Sequence, residues 1–139
     1  MMGEIVVDIE LANTLDVELV RQGSLQEADV RRATVGAVVD TGALMLALPE
    51  DVVERLGVEI VDSGTVSYAD GRRGELPIAG PLTVHIGDRW TFARCVVVPR
   101  DAGALVGQLV INGLDLVADC RNQTLGPRPE APDFPVFRM

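Results

Sequence analysis

Apolar residues at every second position open the chain. Ile5, Val7, Ile9 and Leu11 alternate with Val6, Asp8 and Glu10, the period of a strand that buries one face. Asn13-Thr14 suits a turn, and Asp16 to Val20 reads as a short second strand. Arg21 to Arg32 is polar, a loop or an irregular strand. Apolar density returns from Ala33 to Val39, stops at Asp40, turns through Thr41-Gly42-Ala43 and resumes over Leu44 to Leu48. Pro49-Glu50-Asp51 then opens a helix of about two turns. Proline suits the first helical position, the acids suit the positive end of the dipole, and Gly57 suits the stop after Val52, Val53 and Leu56.

Two further strand segments, Val58 to Val61 and Thr65 to Tyr68, lead to Asp70-Gly71, the strongest hairpin signal in the chain, with Arg72-Arg73-Gly74 and Glu75-Leu76 on the return. Leu82 to Ile86 and Trp90 to Val98 form a second hairpin about Gly87-Asp88. Ala104 to Val117 carries apolar residues at helical spacing, interrupted by two glycines, and Asp119 to Leu125 reads as one more short strand around Arg121-Asn122. Pro127 to Met139 holds four prolines, which excludes a regular helix or a central strand and predicts an extended tail lying on the body or on a partner.

The pattern is mainly β with one or two short helices. At 139 residues it fits one core, since domains most often run to about 100–150 residues; the domain is placed at 1–126 and the proline-rich tail at 127–139. A hydrophobic share of 47% argues for an ordered chain. The net charge of −9, from 12 basic and 21 acidic residues, lacks the cationic surface that nucleic acid requires. Cys95 and Cys120 have no Cys or His at metal-ligand spacing and read as buried thiols, and His85, the only histidine, reads as a half-exposed strand residue. The N-terminus has no secretion-signal pattern, and no window approaches the roughly 20 apolar residues that span a bilayer. The expectation is a cytoplasmic protein without a membrane partner.

The candidate chemistry lies at Val38-Val39-Asp40-Thr41-Gly42-Ala43, where one carboxylate ends an apolar strand. Hydrolysis of a peptide by carboxylates alone needs two of them a few ångströms apart, one to take a proton from water and one to polarise the carbonyl. The chain has one Asp-Thr-Gly, so the second carboxylate is expected from another copy.

With the helix opening at Leu48-Pro49-Glu50, the glycine-bearing hairpin near residue 71 and Leu105-Val106-Gly107 further on, the order of features resembles a retropepsin-like aspartic protease. It is most similar to the small single-domain prokaryotic members of that retroviral-type group. The resemblance covers residue 4 to about 129. It implies an all-β acid protease fold, a closed β-barrel working as a homodimer on peptide or protein substrates, with no metal or other cofactor. Asp40 would be the catalytic carboxylate, Thr41 would lock the two loops across the dimer axis, and Gly42 would let the backbone approach water and substrate. Ala43, Tyr68, Ala69, Asp70 and Gly71 would meet the substrate, the last four as a flap. Leu44, Val66 and Ile78 are further candidates for the cleft wall. Leu105, Val106 and Gly107 would support the catalytic loop. The retroviral pattern has Arg after that glycine and an acid or Asn next, whereas this chain has Gln108-Leu109, so the resemblance does not carry over the ion pair that braces the retroviral dimer, nor that dimer's mode and strength. The alternative function is a peptide-binding or dimerisation module that keeps the fold without turnover.

Overall fold

The inward parity of Val7, Ile9 and Leu11 is the start of a sheet that closes on itself. The computed structural model describes residues 4–139. Strand β1 (Val6–Asn13) pairs antiparallel with β2 (Arg32–Val39), and β2 pairs parallel with β7 (Ala104–Val106). The short β3 (Leu46–Pro49) lies between β7 and β6 (Arg89–Val98), parallel to the latter. Strand β5 (Arg73–Ile86) pairs with β6 on one side and, through residues 82–85, with β1 on the other, which completes a six-stranded barrel. The other half of β5 leaves the barrel with β4 (Glu59–Ser67) as a long hairpin. The β5–β6 register shifts between Ala79 and Leu82, where Pro81 has no N–H to give the ladder. The mainly-β expectation therefore holds. Ile9, Leu46, Leu48, Leu82, Val84 and Val106 are fully enclosed and form the centre of the core.

Among the described residues, three short α-helices pack around the barrel. Helix α2 (Glu50–Leu56) begins after Pro49, which stands just before the first helical residue, and ends at Gly57, whose φ of 64° is left-handed. A Cβ on Gly57 would collide with the Arg31 guanidinium, so this glycine both stops the helix and makes room for that group.

The expected strand from Asp16 to Val20 is instead helix α1 (Thr14–Arg21). Alternation at Leu15, Val17 and Leu19 mimics a strand, but Asn13 accepts from the N–H groups of Leu15 (3.0 Å) and Asp16 (3.2 Å) and starts a helix. The buried side of that helix is polar. Asp16 is 5% exposed and receives Arg31 through its backbone N–H and both Nε and Nη2, while Leu15 and Leu19 face solvent. The Arg31 guanidinium holds the Asp16 carboxyl below the usual range.

Other expectations change in detail. Val58 to Val61 and Thr65 to Tyr68 merge into the single strand β4, because the intervening Asp62, Ser63 and Gly64 keep pairing with β5. The segment 104–117 divides at Gly107 into β7 and helix α3 (Gln108–Gly113). Arg121-Asn122 is the turn of a hairpin, β8 (Leu116–Asp119) with β9 (Thr124–Pro127), rather than the middle of a strand. Asp119 makes that turn by accepting from the N–H groups of Arg121 and Asn122. Cys95 is buried, which pushes its thiol up to about 11, but Cys120 lies in this exposed turn and is not the buried thiol expected.

Candidate active site

Asp40 ends β2 at the point where the parallel pairing of Val38 with Leu105 and Val39 with Val106 runs out. Its N–H donates to Val106 O at 2.9 Å, so the last pairing bond of the strand also fixes the carboxylate-bearing residue. Its Oδ1 accepts from Gly42 N–H at 3.0 Å and its carbonyl from Ala43 N–H at 3.2 Å, closing a tight turn over Thr41-Gly42. Asp40 is half-buried, and Thr41 and Gly42 are exposed beside it. A Cβ on Gly42 would stand 3.3 Å from Asp40 Oδ1, so the glycine keeps space next to the carboxylate.

The loop continues over the start of α3. Gln108 N–H donates to Ala43 O at 2.8 Å and Leu109 N–H to Leu44 O at 2.9 Å. Gly107 makes this possible: a Cβ there would lie 2.6 Å from Met45 O and 2.7 and 2.8 Å from the Leu44 carbonyl carbon and oxygen. Leu105, Val106 and Gly107 are thus brought directly beneath the Asp40 loop. Side chains from the two strips then meet solvent together, with Leu44 62% and Leu109 55% exposed.

The hairpin tip is organised separately. Tyr68 N–H donates to Arg72 O and Gly71 N–H to Tyr68 O, with Gly71 at a φ of 85°. Asp70 accepts from Arg72 N–H and from its Nε at 2.6 Å, and the Arg72 guanidinium sits 5.9 Å from the Tyr68 ring centre. Tyr68, Ala69, Asp70 and Gly71 are all exposed, and no hydrogen bond among the described residues joins this tip to the Asp40 loop. Val66 is half-buried, but Ile78, named as a cleft wall, is buried at 7%: its side chain lies under Gly64, where a Cβ would stand 2.9 Å from Ile78 Cδ1.

Two supporting groups escaped the sequence reading. Arg89 is 4% exposed and donates to three backbone carbonyls, Leu114 (3.0 Å) and Asp115 (2.7 Å) at the end of α3 and Ala131 (2.7 Å) in the tail. Helix α3 is therefore held at its start by the Asp40 loop and at its end by Arg89. The signal was strand parity: Arg89 shares the inward side of β6 with Cys95 and Val97, whereas Trp90 and Phe92 point outward. Asp115, in turn, accepts from Arg128 Nε and Nη2 and from Val136 N–H. These contacts, the Arg128 ion pair first, hold its carboxyl down to about 2. The Gln108 side chain, at the position of the retroviral Arg, donates to Asn112 Oδ1 at 2.7 Å.

A family model described as aspartyl protease matches residues 26–114, a span that holds the Asp40 loop, the hairpin tip and Gly107. The chain belongs to the aspartyl protease family and is retropepsin-like in its barrel. No curated protein matches it. No helix among the described residues is long and apolar enough to cross a membrane.

Proposed function

We propose that the protein is an aspartic endopeptidase whose active unit is a homodimer, with Asp40 of each copy forming the catalytic pair. The observation that supports this reading most is the presentation of a single carboxylate. One backbone-fastened loop carries Asp40 half-buried with Thr41 and Gly42 exposed next to it, and the barrel of that chain is already closed. A protease of this family needs a second carboxylate, and the chain carries one Asp-Thr-Gly.

Two carboxylates brought within a few ångströms do not both ionise readily, so the pair shares one proton. The ionised Asp40 takes a proton from a water molecule, whose oxygen attacks the peptide carbonyl carbon. The protonated Asp40 of the other copy gives its proton to the carbonyl oxygen. The first carboxyl then protonates the amide nitrogen as the C–N bond breaks, the diol returns a proton to the second, and the pair is restored. Thr41, at the exposed corner of the loop, bonds across the axis, and the Tyr68–Arg72 tip covers the bound chain.

Replacing Asp40 by Asn is expected to lower peptide cleavage by about a thousandfold or more, in keeping with the loss of an acid–base group. Excess Asn variant mixed into the wild type should also suppress its activity by forming mixed dimers. An Asn variant that still cleaves, or cleavage by a species that sediments as a monomer, removes the reading.

A further inference from the structure

Beside the Asp40 loop lies an open groove of about 510 Å3, walled by Leu44, Met45, Phe92 and Leu109, with Val110 at its buried side and Arg94 as its only charged lining residue. That volume is within the range of pockets that hold small ligands, about 300–1,000 Å3. Leu44, Phe92 and Leu109 are each more than half exposed, yet they converge on one concavity. Leu109 stands where the retroviral pattern has an acid or Asn, so the departure that removes a polar brace also supplies an apolar wall.

We infer that this groove is a specificity site for the peptide substrate, taking a bulky apolar side chain within about four residues of the scissile bond with an acidic residue next to it. The inference rests on the proposed peptide cleavage. Its wall is the same strip of chain that carries the carboxylate: from Asp40 to Leu44 an extended backbone reaches at most about 14 Å. The turn over Thr41-Gly42 makes the span shorter than that, so a substrate strand laid over Asp40 covers it in about four residues or fewer. Arg94 selects the acidic neighbour, because its only ion-pair contact among the described residues is a loose one, 4.0 Å to the exposed Asp62. A second copy, the other occupant that an apolar groove could take, is separated from a substrate by the self-association readout below.

The test separates binding from turnover. A random decapeptide library is captured on the Asp40→Asn protein, and matched peptides carrying Leu or Ser at the enriched position are then offered to the wild type. The expected result is enrichment of Leu, Ile or Phe at one position with Asp or Glu adjacent, and a preference of about tenfold or more in kcat/KM for Leu over Ser. Leu109→Ser or Phe92→Ser should reduce that preference to near unity at unchanged melting temperature, and Arg94→Glu should exchange the acidic neighbour for a basic one. Enrichment indifferent to all three substitutions overturns the proposal, as does a loss of self-association in place of a loss of preference. Enrichment that depends on Leu109 without any cleavage by the wild type supports the groove and refutes the endopeptidase. Cleavage with no preference at the groove does the reverse.

Discussion

The Asp40 loop and the tail after Pro127 are both irregular segments fastened to the barrel, and they are fastened by different chemistry. The loop is held by backbone groups: Asp40 N–H on Val106 O, Gln108 N–H on Ala43 O, Leu109 N–H on Leu44 O, and the bare Cα of Gly107 beneath them. The tail is held by side chains: Arg89 on Ala131 O, and Asp115 on Arg128 and Val136 N–H. Backbone fastening tolerates almost any side chain except at the glycine, so its requirement is concentrated in one residue. Side-chain fastening spreads its requirement over arginines and acids that look like ordinary surface residues in the sequence. The two segments meet through α3, whose start carries the loop and whose end carries Arg89.

If that contrast is right, the largest effect belongs to Gly107→Ala. The added carbon would fall within 2.8 Å of three backbone atoms that cannot rotate away, so the loop must lift from α3. The expected cost is about 3 kcal/mol, at the upper end for overpacking a close contact, with loss of the two bonds from Gln108 and Leu109. Gly103→Ala and Gly126→Ala, where an added carbon meets nothing within 4 Å, should be near neutral in the same denaturant titrations. Equal losses at all three glycines would break the comparison. Next in size is Arg89→Met, which strips the donors from three carbonyls enclosed with it and should cost about 2–4 kcal/mol. Arg89→Lys should recover only part, since one ammonium cannot reach both the α3 end and Ala131 as the forked guanidinium does. Full recovery by lysine would mean that charge, and not the fork, fastens the tail.

The same contrast explains what could be read from the chain. The barrel strands show because apolar alternation is local, and the Asp40 loop with its Gly107 support shows because a glycine forced by backbone contact leaves a motif. Asp16 to Val20 reads as a strand because alternation at Leu15, Val17 and Leu19 is real, but Leu15 and Leu19 are exposed and Val17 is only half-buried. What decides the helix is the Asn13 cap and the long-range partner Arg31, fifteen residues away from Asp16. Arg121-Asn122 was placed in a strand because the two short arms that flank it are each only four residues long. Arg89 stayed hidden because its partners are carbonyls, and a carbonyl belongs to every residue.

The smallest effect tests the tail alone, through pH. The Asp115 carboxyl is held at about 2 against an ordinary value of 3.8, so the folded state binds its proton less readily than the unfolded chain. A carboxyl lowered by folding stabilises the fold above its ordinary range, and that contribution fades as pH falls from about 4 towards 2. Asp115→Asn should therefore lower the denaturation midpoint at pH 6, and the gap from the wild type should narrow steadily as pH falls below about 4 towards 2. Other carboxylates titrate in both proteins and cancel in the difference. A gap that is constant with pH would assign the loss to the changed hydrogen bonding of the amide rather than to the charge, since Asn tolerates the left-handed backbone at residue 115, φ 53°, as well as Asp does. In that case the Asp115 attachment of the tail would rest on hydrogen bonding and not on the ion pair with Arg128.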